Sequence, residues 1–429
     1  MRKRIQLVTI LLIGISLMAF LFLKREAERE QLFATVSSND KLLSIVLATD
    51  LHYLSSDLTD KGSYFSDMVD YADGKNMYYI EEITDSFVDE MIALKPEILI
   101  LSGDLTFNGE KESHLDLKRK LDRIQKKGTQ IFVIPGNHDI ERSSAASFFG
   151  DDFQLVATLS KKQFAELYKE FGLQQSLQKD DNSLSYIYEA RKDTWLLLVD
   201  SNSDKENELS VGTLHWMEDI LKQAEKKGVK VISVTHQNIL VHHPNFTRGF
   251  QLNQASQLKD IFKDSPVLLN LSGHIHIQHI EKEVIPEILT TSLAVSPHQY
   301  GVIEYDGKEM SYDVQPLSID RRAKENGAKD PKLLNFSQSS RDFMIQVAKH
   351  KAEQFIKEDT LSKKDEDLLC DTFAQVNADY FAGNTIDQEK YADGIALWSQ
   401  QENKFFNSYL DVVLSANTQN QHSYSIQVP

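Results

Sequence analysis

The chain has 429 residues, with 47 Lys+Arg against 64 Asp+Glu and a formal net charge of −17. That balance argues against a protein that grips nucleic-acid polymers by a broad basic face. The length exceeds one average domain, the 41% hydrophobic content excludes wholesale disorder, and the lone Cys370 excludes an internal disulfide or a cysteine-built metal site.

The basic stretch Met1 to Arg4 precedes an apolar run from Ile5 to Leu23, broken only by Gln6, Thr9, Gly14 and Ser16. At about 19 positions the run approaches the roughly 20 that a membrane-crossing helix needs, and it is longer than a usual signal-peptide core. It predicts a single-pass anchor in the cell membrane, residues 1–30 being anchor and tether, with the folded part extracellular. A cleaved signal peptide, giving a secreted protein, is the alternative.

From Leu43 short apolar runs alternate with helical spacing. Ser44–Asp50, Glu97–Asp104, Gln130–Asn137, Trp195–Asp200, Val229–His236 and Val267–His274 are continuous, β-rich and bounded by Gly, Asn or Asp, as strands covered on both faces are. Between them Glu82–Ala93, Glu112–Lys126 and Val211–Lys226 predict helices, the last two followed by Gly128 and Gly228 as stops. After His276 come strand patterns without long helices, at Val284–Thr291, Gly301–Tyr305 and Met310–Val314. The alternation predicts an α/β layered sandwich with mixed sheets over residues 42–318. Asp320–Pro331 reads as a charged, turn-rich linker. Ser339–Lys357, Ser362–Ala382, Gln388–Trp398 and Glu402–Leu414 then predict an all-α C-terminal domain over 332–429, ending in a polar tail.

The chemically informative residues fall at strand ends: Asp50-Leu-His52, Gly103-Asp104, Gly136-Asn-His-Asp139, His236 and Gly273-His-Ile-His276. In an α/β sheet ligands gather at the carboxyl ends of strands, so these distant segments can converge on one cleft. Carboxylate, imidazole and amide donors without a thiolate suit Mn, Fe or Zn. Taken singly each has a plain reading, such as a turn aspartate or a hydrogen-bonded core histidine. The ordered combination, each member where a strand ends, outweighs those readings.

In that order the set resembles the calcineurin-like metallophosphoesterase superfamily, over about Leu43 to Leu317. Within it the chain is most similar to bacterial class III cyclic-nucleotide phosphodiesterases with a helical C-terminal extension. The resemblance implies an α/β/β/α sandwich with two mixed sheets and a centre of two divalent metal ions (Mn, Fe or Zn). It implies Asp50, His52, Asp104 and His276 on one ion and Asp104, Asn137, His236 and His274 on the other, with Asp104 bridging and His138 facing the substrate. Two ions about 3.5–4 Å apart would hold a phosphate and lower the pKa of a bound water enough to form hydroxide for in-line attack. The departing alkoxide would take a proton from His138, oriented by Asp139 or Asp104; an N-cap role is as well founded for Asp139. Position 107 is Phe where purple acid phosphatases place a tyrosine ligand, and Asp104–Glu110 lacks the arginine of the protein phosphatases. The implied substrate is a small phosphodiester, cyclic nucleotides first, and not a nucleic-acid polymer. A phosphomonoesterase or nucleotidase, and a non-catalytic surface scaffold, are the rival readings.

Outside the donor set, Asn108 and His298 are candidate substrate contacts. Ser55–Met77 is a candidate lid in which Tyr64 or Tyr71 stacks on a base, against the plainer expectation of a surface loop. His242 and His243 read as solvated loop histidines and Asp200 as a turn residue. Phe343, Phe355, Phe373 and Tyr380 read as helical core, and Cys370 as buried and inert.

Overall fold

Side chains alternate across a strand, and β1 (Leu43–Ala48) uses this to serve two cores: Leu43, Ile45 and Leu47 enter one, Val46 and Ala48 the other. A computed structural model describes residues 42–354, 356, 361–401, 404–416 and 419–428. The run Ile5–Leu23 and Phe355 lie outside these residues; among the described residues no helix is long and apolar enough to cross a membrane.

The first sheet contains β1, β2 (Ile98–Leu101), β3 (Gln130–Val133), β13 (Gln299–Tyr305), β14 (Glu309–Pro316) and β15 (Ser423–Gln427), in the order β15-β14-β13-β1-β2-β3. Strands β1 to β3 are parallel, and the other three pair antiparallel. The second sheet is built from β6 (Gln178–Lys179), β7 (Tyr186–Arg191), β8 (Thr194–Leu198), β9 (Lys230–Val234), β10 (Val267–Ser272), β11 (His279–Lys282) and β12 (Pro286–Leu289), in the order β11-β12-β10-β9-β8-β7-β6. Its four central strands are parallel. A separate hairpin joins β4 (Ala146–Phe149) to β5 (Asp152–Leu155).

The inner faces of the two sheets meet through Ile45, Ile100 and Phe132 against Leu196, Ile232 and Leu271. Of the helices α1 (Ser63–Asp70), α2 (Ile80–Leu94), α3 (Lys111–Gln125), α4 (Lys161–Leu167), α5 (Val211–Lys227) and α6 (Ala255–Lys263), α2 and α3 cover the outer face of the first sheet with Phe87, Leu117 and Leu121. Helices α5 and α6 cover the second with Met217, Leu221 and Leu258. The layering is α/β/β/α with two mixed sheets, as expected of a metallophosphoesterase fold. Helix α5 shows how local chemistry sets an element: Ser210 Oγ accepts from the Thr213 N–H at 3.0 Å at its start, and Gly228 at φ 68° stops it.

The helical region comprises α7 (Ile319–Glu325), α8 (Pro331–Leu334), α9 (Phe336–Glu353), α10 (Lys363–Phe381), α11 (Ala392–Trp398) and α12 (Lys404–Ala416). Its core, with Ile345, Leu369, Phe373, Trp398 and Leu410, is continuous with Ile275, Ile277 and Val295 of the sandwich. The first half of the segment read as a linker instead belongs to α7, which buries Ile319 and Ala323 and whose Arg322 reaches Asp89 of α2 at 2.6 Å, while residues 326–330 are turn and coil. The tail read as polar becomes β15, paired along β14. The insertion Ser55–Met77 folds around α1, whose Phe65 and Val69 are buried.

One polar chain fastens the helical region down. The Asn76 side-chain amide donates to Ser340 Oγ on α9 at 3.0 Å, and Ser340 Oγ lies 2.6 Å from His298 Nε2. His298 Nδ1 in turn donates to Leu293 O at 2.9 Å. Ser340→Ala leaves two buried groups unpaired and should lower the unfolding free energy by about 1–3 kcal/mol in chemical denaturation; an unchanged midpoint would show that this chain contributes nothing.

Burial pushes His298 and His114 down to about 4, so both are neutral in the fold. The unfolded chain takes up protons at these positions below its ordinary value of about 6.5. It then binds more protons than the folded chain, so stability falls as pH is lowered from about 6.5 to 4. His114→Gln should flatten that slope in denaturation midpoints measured across the window, and an unaltered slope would contradict neutral burial.

Candidate metal centre

β1 leads into Asp50 and His52, β2 into Asp104, β3 into Asn137 and His138, β9 into His236, and β10 into His274 and His276. All lie beyond the carboxyl ends of parallel strands, where the chains leave the two sheets and can meet. Asp50, His52, Asp104, His274 and His276 all adopt left-handed backbone, with φ between 45° and 73°. That region is unfavourable for residues with a Cβ and marks places where the surrounding structure imposes a turn.

Each buried carboxylate divides its oxygens between the backbone and the site. Asp50 Oδ2 accepts from Thr49 Oγ1 at 2.7 Å and the His274 N–H at 2.9 Å. Its Oδ1 has no hydrogen-bond partner and lies 3.3 Å from His276 Nε2 and 3.8 Å from His52 Nε2. Asp104 Oδ1 accepts from the His138 N–H at 2.8 Å, while its Oδ2 sits between His236 Nε2 at 3.3 Å and His52 Nε2 at 3.8 Å.

Two donor groups result, Asp50–His52–His276 and Asp104–His236–His274, each with ligand atoms within 4.8 Å of one another. Asn137 Oδ1 joins the second at 3.1 Å from His236 Nε2, and Asp104 Oδ2 stands between the two groups. The His52 and His276 Nε2 atoms face each other at 3.1 Å beside the orphaned Asp50 oxygen. Lone pairs converging in this way, from oxygen and imidazole donors, fit divalent cations.

Burial works against ionised Asp50, but His276 beside it holds its carboxyl well below the usual range. Burial likewise opposes Asp104, and His236 and His138 outweigh it. His236 is pushed up to about 9 because Asp104 overcomes burial, whereas burial, helped by His236, takes His274 down to about 4.

Supporting bonds set the orientation of the donors. His236 Nδ1 donates to Ser102 O at 2.9 Å, which presents Nε2 to the site. The Gln237 amide holds Asn137 Oδ1 at 3.3 Å and is itself bound to Asn202 Oδ1 at 2.9 Å. Asp200 is buried and accepts from the Leu184 and Asn202 N–H groups, a turn role that also steadies Asn202.

His138 is not oriented by Asp139. Its Nδ1 donates to Phe107 O at 2.9 Å and lies 3.0 Å from Asn108 Oδ1, while Asp104 holds only its backbone N–H. Asp139 instead accepts from the N–H groups of Leu105, Thr106 and Gly136, bracing the two donor loops together. Asn108 therefore lies against His138. His298 does not reach the site: both its ring nitrogens are bonded under α9. Tyr64 packs on Phe148 and Tyr71 stacks on His350, and neither lines the space beside the donors. His242 and His243 are buried, not solvated, with His242 bonded to His279 and Glu287.

The donors open into a cavity of about 700 Å³ whose opposite wall comes from α9, α10 and α12, including Met344, Lys351, Phe373 and Tyr409. Phe373 is thus both helical core and cavity lining. Cys370 is buried as expected. Lys75, Gln237 and Lys351 were not anticipated from the sequence. Gln237 adjoins a donor and could have been suspected; the lysines carry no local pattern.

The sandwich and its donor set define a metal-dependent phosphoric ester hydrolase. Residues 43–278 match the calcineurin-like phosphoesterase family, and the chain belongs to it. Residues 318–420 match the C-terminal domain of cyclic nucleotide phosphodiesterase. Among solved structures the chain is similar to a dimetal phosphatase from Danio rerio, at 12% identity over 64% of this chain and 96% of that one, with a TM-score of 0.45. It is also similar to purple acid phosphatase PPD1 from yellow lupin, at 10% identity over 64% of this chain and 51% of that one, with a TM-score of 0.40. No curated protein matches.

A Cβ on Gly136 would lie 2.1 Å from Asp104 Oδ1, and one on Gly273 would lie 2.5 Å from Asp50 Oδ2. Gly136→Ala should therefore at least halve the bound metal measured by elemental analysis, while far-UV circular dichroism stays native. Full metal content would show that the loop absorbs the methyl group.

Proposed function

We propose that the chain is a dinuclear metal-dependent phosphodiesterase for small phosphodiesters, cyclic nucleotides being the favoured class. The observation that carries this reading is the walled cavity: the donors form one side and the helical region the other, so a phosphate at the donors has room for an organic substituent on each ester oxygen. The family match of the helical region supports the same substrate class.

In this reading Asp50, His52, Asp104 and His276 hold one ion, and Asp104, Asn137, His236 and His274 the other, with Mn, Fe and Zn all compatible. When bound, the pair supplies Lewis acidity and an acidified water. The protein's own part is positioning and proton delivery. With the His138 Nδ1–H committed to Phe107 O, the titrating proton is the one on Nε2. Burial and Lys75 disfavour that proton and Asp104 favours it, with the net effect that His138 is lowered from its ordinary value. Nε2 therefore carries its proton in only a minor part of the molecules at neutral pH, and it is this protonated form that transfers a proton onto the departing ester oxygen. Asn108 and the Phe107 carbonyl keep the ring turned to deliver it.

The proposal extends to the cell surface: the run Ile5–Leu23, outside the described residues, would anchor the enzyme with its catalytic part external. Protease treatment of intact cells should then remove the activity, and full protection would place it inside.

The Mn²⁺-loaded protein should hydrolyse 2′,3′- or 3′,5′-cyclic nucleotides faster than nucleoside monophosphates; the opposite ranking would favour a nucleotidase. His138→Ala should lower kcat by about 10²–10⁴-fold with metal content preserved. Unchanged turnover would remove His138 from the mechanism.

A further inference from the structure

The cavity carries charges that the donor set does not use. Lys75 and Asp73 approach from the end of the insertion that contains α1, and Lys351 from the last turn of α9. Lys75 Nζ pairs with Asp73 Oδ2 at 2.9 Å, and its side chain is only 9% exposed. Lys351 is half-buried and, among the described residues, has no ion-pair partner. The remaining acid of the lining, Glu206, is engaged by Arg142 at 3.0 Å.

Two cations therefore lie near one carboxylate, Asp73, whose side chain is itself 42% exposed, on a chain whose net charge is −17. Burial and the neighbouring Lys75 both push the Lys351 ammonium down, and Asp73 compensates in part. A half-buried ammonium gains from an anion that enters the cavity, because the pair would be partly shielded from water.

Another part of the same lining is aromatic. The Phe250 ring lies 5.7 Å from that of His274, Phe246 lies 5.2 Å from Phe250, and Tyr409 lies 6.0 Å from Phe246. These side chains offer faces and edges to a flat base, a contact that tolerates any base. One phosphate at the donors, a base on the aromatic lining and an ammonium without an ion-pair partner among the described residues describe a ligand with two anionic groups.

We infer that Lys351, with Lys75 beside it, is a second anion subsite, and that the preferred substrates are nucleotide phosphodiesters bearing a further, non-scissile phosphate. The inference rests on the phosphodiesterase reading for where the scissile phosphate sits, and it assigns the helical region a direct part in substrate selection. Lys351 makes no contact with the reacting atoms; it sets affinity.

The test is calorimetric binding of adenosine 3′,5′-bisphosphate and of AMP to the Mn²⁺-loaded full chain, beside its turnover of bis-p-nitrophenyl phosphate. Wild type should bind the bisphosphate at least about tenfold more tightly than AMP, and Lys351→Met and Lys351→Gln should bring the ratio to within about twofold, while Lys351→Arg keeps it. Equal binding of the two ligands by wild type, or a preference that survives both neutral variants, would overturn the subsite. A wild type that prefers the bisphosphate but hydrolyses no diester would uphold the subsite and overturn the phosphodiesterase reading.

Discussion

Two ionised carboxylates, Asp50 and Asp104, are buried at 0% and 1% exposure, and the arrangement of the catalytic domain is organised around making that tolerable. A buried carboxylate is strongly unfavourable unless it is hydrogen-bonded and faces positive charge. Here one oxygen of each is occupied by a backbone N–H from another donor loop, so the loops are tied to one another through the acids themselves. The other oxygen is left facing imidazoles. Left-handed turns at five donor residues and the absence of a Cβ at Gly136 and Gly273 follow from the closeness this demands. Asp139 and His114 complete the bracing, His114 Nε2 donating to Asp139 O at 2.9 Å.

The helical region is attached at both ends of its sequence. Helix α7 is held on α2 by Arg322, and β15 returns to lengthen the first sheet. In the middle, Ser340 joins α9 to Asn76 and to His298. A unit fastened at three places forms a fixed wall for the cavity, unlike a loosely linked domain that would leave the donors in an open cleft. Asn76 is next to the lining residue Lys75 and Ser340 lies one turn before the lining residue Met344, so His298, read as a substrate contact, serves instead to place the wall of the cavity.

The donor positions were legible because two local features coincide at each: an apolar run that must be a strand, and a ligand-capable residue where that run stops. Neither feature depends on distant contacts. In the segment 320–331 the helical first half is hidden because its charges look solvated until α2 supplies Asp89 to Arg322, while 326–330 is the turn its composition suggests. His242 and His243 were misread for the same reason, since the groups that bury them lie on β11, β12, α10 and α12. β15 alternates only weakly, and its partner strand is more than a hundred positions away. Lys75 and Lys351 belong to one cavity only through the packing of α9, which no local pattern announces. What sequence conveys well is therefore chemistry carried by strand ends; what it conveys poorly is chemistry assembled by the contact of two units.

The loop after β9 shows that these two kinds of information are mechanically joined. It begins at the donor His236 and ends at Gly249 and Phe250 on the cavity wall. Glu287, at 0% exposure, accepts from the Ile239 and Leu240 N–H groups and from Asn270 and Ser272, so the loop leaves the sheet in a set direction. At its far end Gly249 O lies 3.2 Å from His274 Nε2, returning the loop to a second donor. The aromatic side chains it carries are consequently positioned by the same loop that joins the donors His236 and His274. A substitution that shifts Phe246 or Phe250 would be felt at His274, and loss of a donor would loosen this part of the cavity wall. The cavity lining and the placement of the donors are in this sense properties of one loop.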